Sequence, residues 1–131
     1  MIRILLIVAG AANVLNGLVM LLAPDTWFFR LIPGVPDTGP FNAHLVADVG
    51  TFYVPIGVGL LVAARNPTRH VVAVGVAAGA CLLHALLHLV SHAAGLLSGY
   101  MTTEVALIYV PTVVLAAMAL ALVSGAATAR G

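Results

Sequence analysis

The sequence is short of charged residues and contains no lysine. Only 7% of its 131 residues are charged, and five arginines against four acids give a net charge of +1. Soluble domains carry about a quarter of charged residues, so this composition excludes an ordinary soluble domain. A net charge this small also excludes the strong positive field by which proteins attract nucleic acid.

Cysteine is nearly absent as well, because Cys81 is alone in the chain. A single cysteine cannot form an intrachain disulfide, so cysteine usage does not indicate a redox compartment. We interpret Cys81 as a small buried hydrophobic residue in preference to a soft copper ligand. No serine or cysteine nucleophile with a base and an oxyanion cradle is evident, which disfavours a hydrolase of soluble substrates.

Apolar residues, by contrast, make up 63% of the chain, and the mean hydropathy is +1.17. Four apolar runs, at about residues 4–22, 41–64, 71–94 and 102–123, are each long enough to cross a bilayer. The first run has the basic start of a signal peptide, but Leu21 and Ala23 make a poor cleavage site, so we expect it to be retained. The sequence therefore predicts an all-α fold, an integral membrane four-helix bundle that forms a single domain over residues 1–131.

The distribution of arginine predicts the orientation of this bundle. Four spans put both termini on the same side of the membrane, together with most of the arginines: Arg3, Arg65, Arg69 and Arg130. The positive-inside rule makes that side cytoplasmic. The absence of lysine and the heavy use of alanine, valine and glycine suggest a GC-rich bacterial genome. We therefore expect a multi-pass protein of the bacterial inner membrane with both termini in the cytoplasm.

The third run contains three histidines at four-residue intervals, His84, His88 and His92. This spacing puts them on one stripe of a helix, one turn apart. A titratable side chain inside the membrane is costly and indicates a functional site. The first half of the same run is rich in small residues, and we expect Gly75 and Gly79 to form a packing seam with another helix.

The second run begins with a matching pair, His44 and Asp48. At about 1.5 Å per residue, they lie about 5 and 10 Å below the outer surface, and His88 and His84 lie about 9 and 15 Å below it. A four-residue spacing lets two side chains of one helix bind the same ion. We therefore predict a metal site in the outer half of the membrane, with His44, Asp48, His84 and His88 as ligands of Cu, Zn or Fe.

We predict that five further residues surround these ligands or line the access to them: His92, Asn13, Asn16, Glu104 and Tyr109. The asparagine and tyrosine side chains would orient the imidazoles through hydrogen bonds. We interpret His92 as a gate or bystander at the outer surface. Glu104 also fits a carboxylate that is stabilised by the dipole at the start of the fourth helix.

Three functions are open at this point. The first is an intramembrane metal-binding protein, such as a redox enzyme or oxidoreductase component that acts on a small hydrophobic substrate or a quinone. The second is a b-type haem protein, with His44 and either His84 or His88 as axial ligands. The third is a non-catalytic accessory subunit of a larger membrane complex, or of a homo-oligomer, whose aligned histidines and aspartate relay protons. The sequence leaves open whether the chain is an enzyme.

The residues that lead into the second run carry a resemblance. The segments Pro33-Gly34-Val35, Gly39-Pro40-Phe41-Asn42-Ala43-His44 and Asp48-Val49-Gly50 resemble a pattern in small four-helix bacterial membrane proteins, DoxX-like in size and topology. The resemblance covers roughly the first half of the chain and implies a compact four-helix bundle with a role for His44 and Asp48. A weaker likeness is to the intramembrane copper subunit of particulate methane and ammonia monooxygenases. That subunit binds metal with one Asp and two His on neighbouring helices, in an order and spacing that differ here.

Overall fold

The structure is a computed structural model that describes residues 1–97 and 101–128, and the described residues form helices and connecting turns without a β-strand. The long helices are α1 (Ile2–Leu22), α2 (Ala43–Arg65), α3 (Val71–Ala93) and α4 (Val110–Thr128). The helical residues Met101–Glu104 and a π-helical turn, Val105–Tyr109, precede α4 directly, and we call Met101–Gly125 the fourth span.

Four helices of the described chain are long and apolar enough to cross a membrane, which confirms the predicted all-α class and the predicted number of spans. The first three begin and end within two residues of the bounds expected from the sequence. Asn42 helps to set the start of α2, because its side-chain Oδ1 accepts a hydrogen bond of 3.0 Å from the Leu45 amide. Arg130, which the orientation argument used, lies outside the described residues.

The closest helix packing joins α1 to α2 through four glycines. A Cβ atom built on Gly57 would lie 2.6 Å from the carbonyl oxygen of Gly10, and one built on Gly17 would lie 2.9 Å from that of Gly50. No real side chain tolerates such distances, so only glycine allows these backbones to come so close.

The seam predicted on α3 is wrong for contacts within this chain. A Cβ atom built on Gly75 or Gly79 meets no atom of the described residues within 4 Å, and Gly75 is exposed. The first half of α3 does contribute to the core, but through Val74, Ala77 and Ala78.

Two apolar cores lie at opposite ends of the bundle. The end that contains the 66–70 turn, here called the turn end, has a core shared by all four spans: Leu6, Leu60, Ala63, Ala64, Val74, Ala77, Ala78, Leu115, Met118 and Leu122. The other end, the loop end, contains the segment between α1 and α2, and its core of Met20, Phe28 and Val46 joins only α1, that segment and α2. At the loop end, α3 and the fourth span therefore need contacts of another kind.

Thr112 supplies one of these contacts from just beyond Pro111. Among the residues that the structure describes, Thr112 is the one polar residue that is buried. Its hydroxyl lies 2.7 Å from the Ile108 carbonyl oxygen and 3.2 Å from that of Cys81. The second bond links the fourth span to α3. The other contacts are made by the histidine stripe.

Candidate histidine–glutamate site

Glu104 lies between two histidines of α3. Its Oε2 is 2.6 Å from His92 Nε2, and its Oε1 is 3.3 Å from His88 Nδ1. The three side chains are only 12–21% exposed. With the carboxylate ionised, the His92 N–H donates a short charge-assisted bond, the stronger class of hydrogen bond. One acid of the fourth span is thus shared by two bases of α3, and we call these three residues with His84 the histidine–glutamate site.

The two histidine contacts of Glu104 differ in quality. The His92 contact is a hydrogen bond. The His88 contact is within ion-pair distance, yet His88 Nδ1 is buried and has no hydrogen-bond partner in the part of the chain that the structure describes. We attribute the difference to orientation, because the imidazole nitrogen needs alignment as well as distance to form a hydrogen bond. His88 therefore has an unused bonding position beside a carboxylate.

His84 extends the site one turn deeper into the bundle. Its ring stacks on that of His88, with centroids 4.8 Å apart and planes 22° from parallel. The spacing of four residues along α3 produces this stack directly. Tyr109 lies on the fourth span five residues beyond Glu104, and its hydroxyl is buried without a hydrogen-bond partner among the described residues.

The π-helical turn Val105–Tyr109 determines where Glu104 faces. A π turn contains one residue more than an α turn, and one residue corresponds to about 100° of rotation around a helix. Glu104 is therefore rotated relative to α4 by about that angle from the position that a regular helix would give it. The sequence placed Glu104 in a supporting position at the site or at a helix start, but its contacts with both His88 and His92 were not predicted, because regular periodicity does not include the extra residue of the π turn.

The predicted ligands His44 and Asp48 form a separate pair. His44 Nε2 lies 3.3 Å from Asp48 Oδ2 within α2, and the side chains are 87% and 54% exposed. The contacts described for His84 and His88 are instead with each other and with Glu104. Both four-residue pairs therefore exist, but no described contact joins one pair to the other.

This separation bears on the predicted metal and haem. Across residues 1–97 and 101–128, no group of three or more His, Cys, Asp or Glu side chains is placed to hold a metal ion. The ligand set His44, Asp48, His84 and His88 thus has no support from contacts and stays a prediction. The same applies to haem ligation by His44 with His84 or His88, since the exposed His44 contacts its own helix neighbour.

The two asparagines have partners away from the histidines. Asn13 Nδ2 donates to the Ala9 carbonyl oxygen at 2.8 Å. Asn16 Oδ1 accepts a hydrogen bond of 2.8 Å from the Trp27 indole, and its amide lies 3.6 Å from the Met20 sulfur. The Asn16–Trp27 contact holds the segment after α1 against that helix, whereas the Asn13 contact stays within α1.

Comparison with known proteins finds no matching family model, no matching curated protein and no matching solved structure. The resemblances drawn from the sequence therefore stay predictions, and the functional argument depends on the chain's own chemistry.

Proposed function

We propose that this chain is a proton-binding accessory component of a membrane complex, and that it takes up and releases protons at the histidine–glutamate site. The observation that supports the proposal is the position of Glu104, 2.6 Å from His92 and 3.3 Å from His88 with little exposure to solvent. We place the protein in the bacterial inner membrane with the loop end outside, because arginine is concentrated at the turn end.

The chemistry of the site suits proton exchange. Histidine is the side chain that ordinarily changes charge near neutral pH. Two imidazoles and one carboxylate can hold a variable number of protons, and at these distances the charge of one group acts on the others. Because an unbalanced charge is costly where water is scarce, a state in which the three groups together are electrically neutral is favoured. A change in the surroundings, such as the docking of a partner, would shift that balance and move a proton.

The histidines extend only part of the way through the bundle, which favours proton exchange from one side over a proton path across the membrane. The exchangeable groups of α3 extend from His92 to His84, a distance of about 12 Å along the helix. Beyond them, the core at the turn end is apolar, with Leu60, Val74 and Leu115 among its members. Protons would therefore enter and leave from the loop end.

Titration of the individual histidines tests this proposal. The full chain, labelled with ¹⁵N-histidine in nanodiscs, would be titrated by NMR, and each signal would be assigned with a single His→Gln variant. We expect the His88 and His92 signals to respond to pH differently in the wild type and in Glu104→Gln, because the variant removes the carboxylate that both histidines contact. His70 is the matched control, because it lies in the 66–70 turn beside the Asn66 carbonyl oxygen. If the His92 curve is the same in the wild type and in Glu104→Gln, the proposal is wrong.

Metal binding is the second candidate, with a revised ligand set. The unpaired Nδ1 of His88 and the two oxygens of Glu104 are donors that suit Zn, Cu or Fe, and His92 completes two histidines and one carboxylate. The side chains would have to move, because their present placement does not hold an ion. In such a site the metal would supply Lewis-acid or redox chemistry, toward a quinone or another lipid-soluble substrate.

Elemental analysis separates the candidates. Protein purified without chelator from cells supplied with Zn, Cu and Fe should carry stoichiometric metal if this second candidate is right. The metal should be lost in Glu104→Gln and kept in the control, a double variant with His44→Ala and Asp48→Ala. If the ligands are instead those predicted from the sequence, the double variant should lose the metal. An absorption spectrum of the same sample tests haem. Metal-free, colourless protein whose histidine titration still depends on Glu104 leaves the proton-binding role alone.

A further inference from the structure

The exposed side of α2 differs from every other lipid-facing side that the structure describes. His44, Asp48, Thr51 and Pro55 are exposed along one side of the helix, and the space beside Gly59 on that side is open. We call these five residues the α2 polar stripe, after its polar members His44, Asp48 and Thr51. Large apolar residues such as Phe52 are exposed on α2 as well, but the exposed sides of the other long helices carry such residues without an acid–base pair, as at Leu15, Leu83 and Leu120.

The stripe extends below the membrane surface. A helix of 23 residues such as α2 is about 34 Å long, against about 30 Å for the hydrocarbon layer. If α2 is centred in that layer, His44 lies at its edge, Asp48 lies about 5 Å inside it and Thr51 about 10 Å inside. Ionisable residues at such depth almost always face protein or a water-filled cavity. The 54% exposure of the Asp48 side chain therefore indicates a surface that is covered in the membrane.

We propose that a second copy of this chain covers the α2 polar stripe, with the two α2 helices side by side around a twofold axis along the membrane normal. The surface is self-complementary, because each copy brings one base and one acid. In such an interface, His44 of one copy contacts Asp48 of the other, and the twofold axis repeats the contact. Within one chain the same two residues lie 3.3 Å apart across one helical turn, and in the dimer each would also face the other residue of the second copy.

Charge complementarity selects this occupant over others. Lipid would leave the carboxylate and imidazole in hydrocarbon, and a partner with a single charge would leave one of them unmatched. The open space beside Gly59 also lets a second helix approach the stripe closely. The dimer does not depend on the histidine–glutamate site, which lies on α3 and the fourth span, so either proposal can fail without the other.

Energy transfer between two differently labelled populations in liposomes, measured against dilution with lipid, tests the dimer. His44→Asp and Asp48→His each put like charges opposite one another, so we expect the dissociation constant to rise about tenfold. The double variant with both changes restores opposite charges and should return to the wild-type value within about twofold. Asp37→His, in the exposed segment before α2, is the matched control for the change of charge.

Cross-linking locates the interface and guards against misfolded variants. In a Cys81→Ala background, Thr51→Cys should form an intermolecular disulfide under mild oxidation, and Val72→Cys, on the exposed side of α3, should not. A monomeric wild type overturns the proposal. So does a dimer in which the charge variants bind as tightly as the wild type, or one that cross-links through Val72→Cys. Recovery by the double variant shows that the single variants were weakened by their charge and not by loss of the fold.

Discussion

The pair α1–α2 and the pair formed by α3 and the fourth span use the same kinds of residue in opposite ways. Between α1 and α2, glycines such as Gly10 and Gly57 face inward and touch, while the His44–Asp48 pair faces outward. In the second pair, Glu104 faces inward against two histidines, while Gly79 has open space beside it. Spacing in the sequence therefore produces a glycine face or a histidine–acid pair, and the rotation of each helix decides which of them lies inside.

This difference explains where a site can form. The close approach of α1 and α2 leaves no room for a further side chain at the four glycines, so that contact is apolar. The second pair joins through hydrogen bonds and ion pairs as well as apolar packing, and these place two imidazoles and a carboxylate between two helices. Inside a membrane such polar groups are costly unless they are paired, so each depends on its partner to remain buried.

The largest effect is expected from the glycine seam. Gly57→Leu should destabilise the protein by about 3 kcal/mol, because the new side chain would overlap the Gly10 carbonyl and the Val14 side chain of α1. Gly79→Leu is the matched control and should change the free energy of unfolding by less than about 0.5 kcal/mol, as expected for an open surface position. Denaturant unfolding in detergent measures both. Equal effects would show that the two glycine faces do not differ as described.

The next effect is expected from the inward acid. Glu104→Ala should cost about 2 kcal/mol, because it removes a hydrogen bond and leaves two half-buried histidines without their acid. Asp48→Ala should cost less than about 0.5 kcal/mol in detergent that keeps the protein monomeric, since an exposed ion pair contributes little. If Asp48→Ala proved to be the costlier change, the inward and outward assignments of the two pairs would have to be exchanged.

Thr112→Val tests the other polar contact of the second pair. Loss of the bond from Thr112 to the Cys81 carbonyl should cost about 1 kcal/mol, which is typical of interhelical hydrogen bonds in membranes. Thr51→Val, on the exposed side of α2, is the control and should have no measurable cost in the same detergent. A Thr112→Val protein as stable as the wild type would mean that this hydrogen bond does not help to hold the two spans together.

The smallest effect is expected from salt. The Debye length falls from about 10 Å at 0.1 M to about 3 Å at 1 M salt, so exposed charges are screened and partly buried ones much less. The small contribution of Asp48 should therefore vanish at high salt, while the contribution of Glu104 should remain. Repeating the unfolding measurements on Asp48→Ala and Glu104→Ala at both salt concentrations checks this. Loss of the Glu104 contribution at high salt would indicate a site open to water.

Much of the fold and part of the site could be predicted from single residues and their spacing. The helix class, the number of spans and the stacking of His84 on His88 all follow from local properties. Spacing could not decide whether His44 and Asp48 meet the histidines of α3, because equal depth in the membrane does not show which way each helix faces. Glu104 was expected near the site only in a supporting position, and its contacts with two histidines were not predicted because one extra residue in the turn Val105–Tyr109 changes its direction.

The sequence by itself determined that this is a helical protein with four apolar segments, since hydropathy and helix formation are properties of short stretches of chain. It also determined that His44 would pair with Asp48 along α2 and that His84 and His88 would lie together along α3. Only the tertiary structure decided that His88 and His92 share Glu104, while His44 and Asp48 remain at the surface. That outcome depends on the rotation of each helix about its axis, which the glycine contacts of α1–α2 and the π turn before α4 control together.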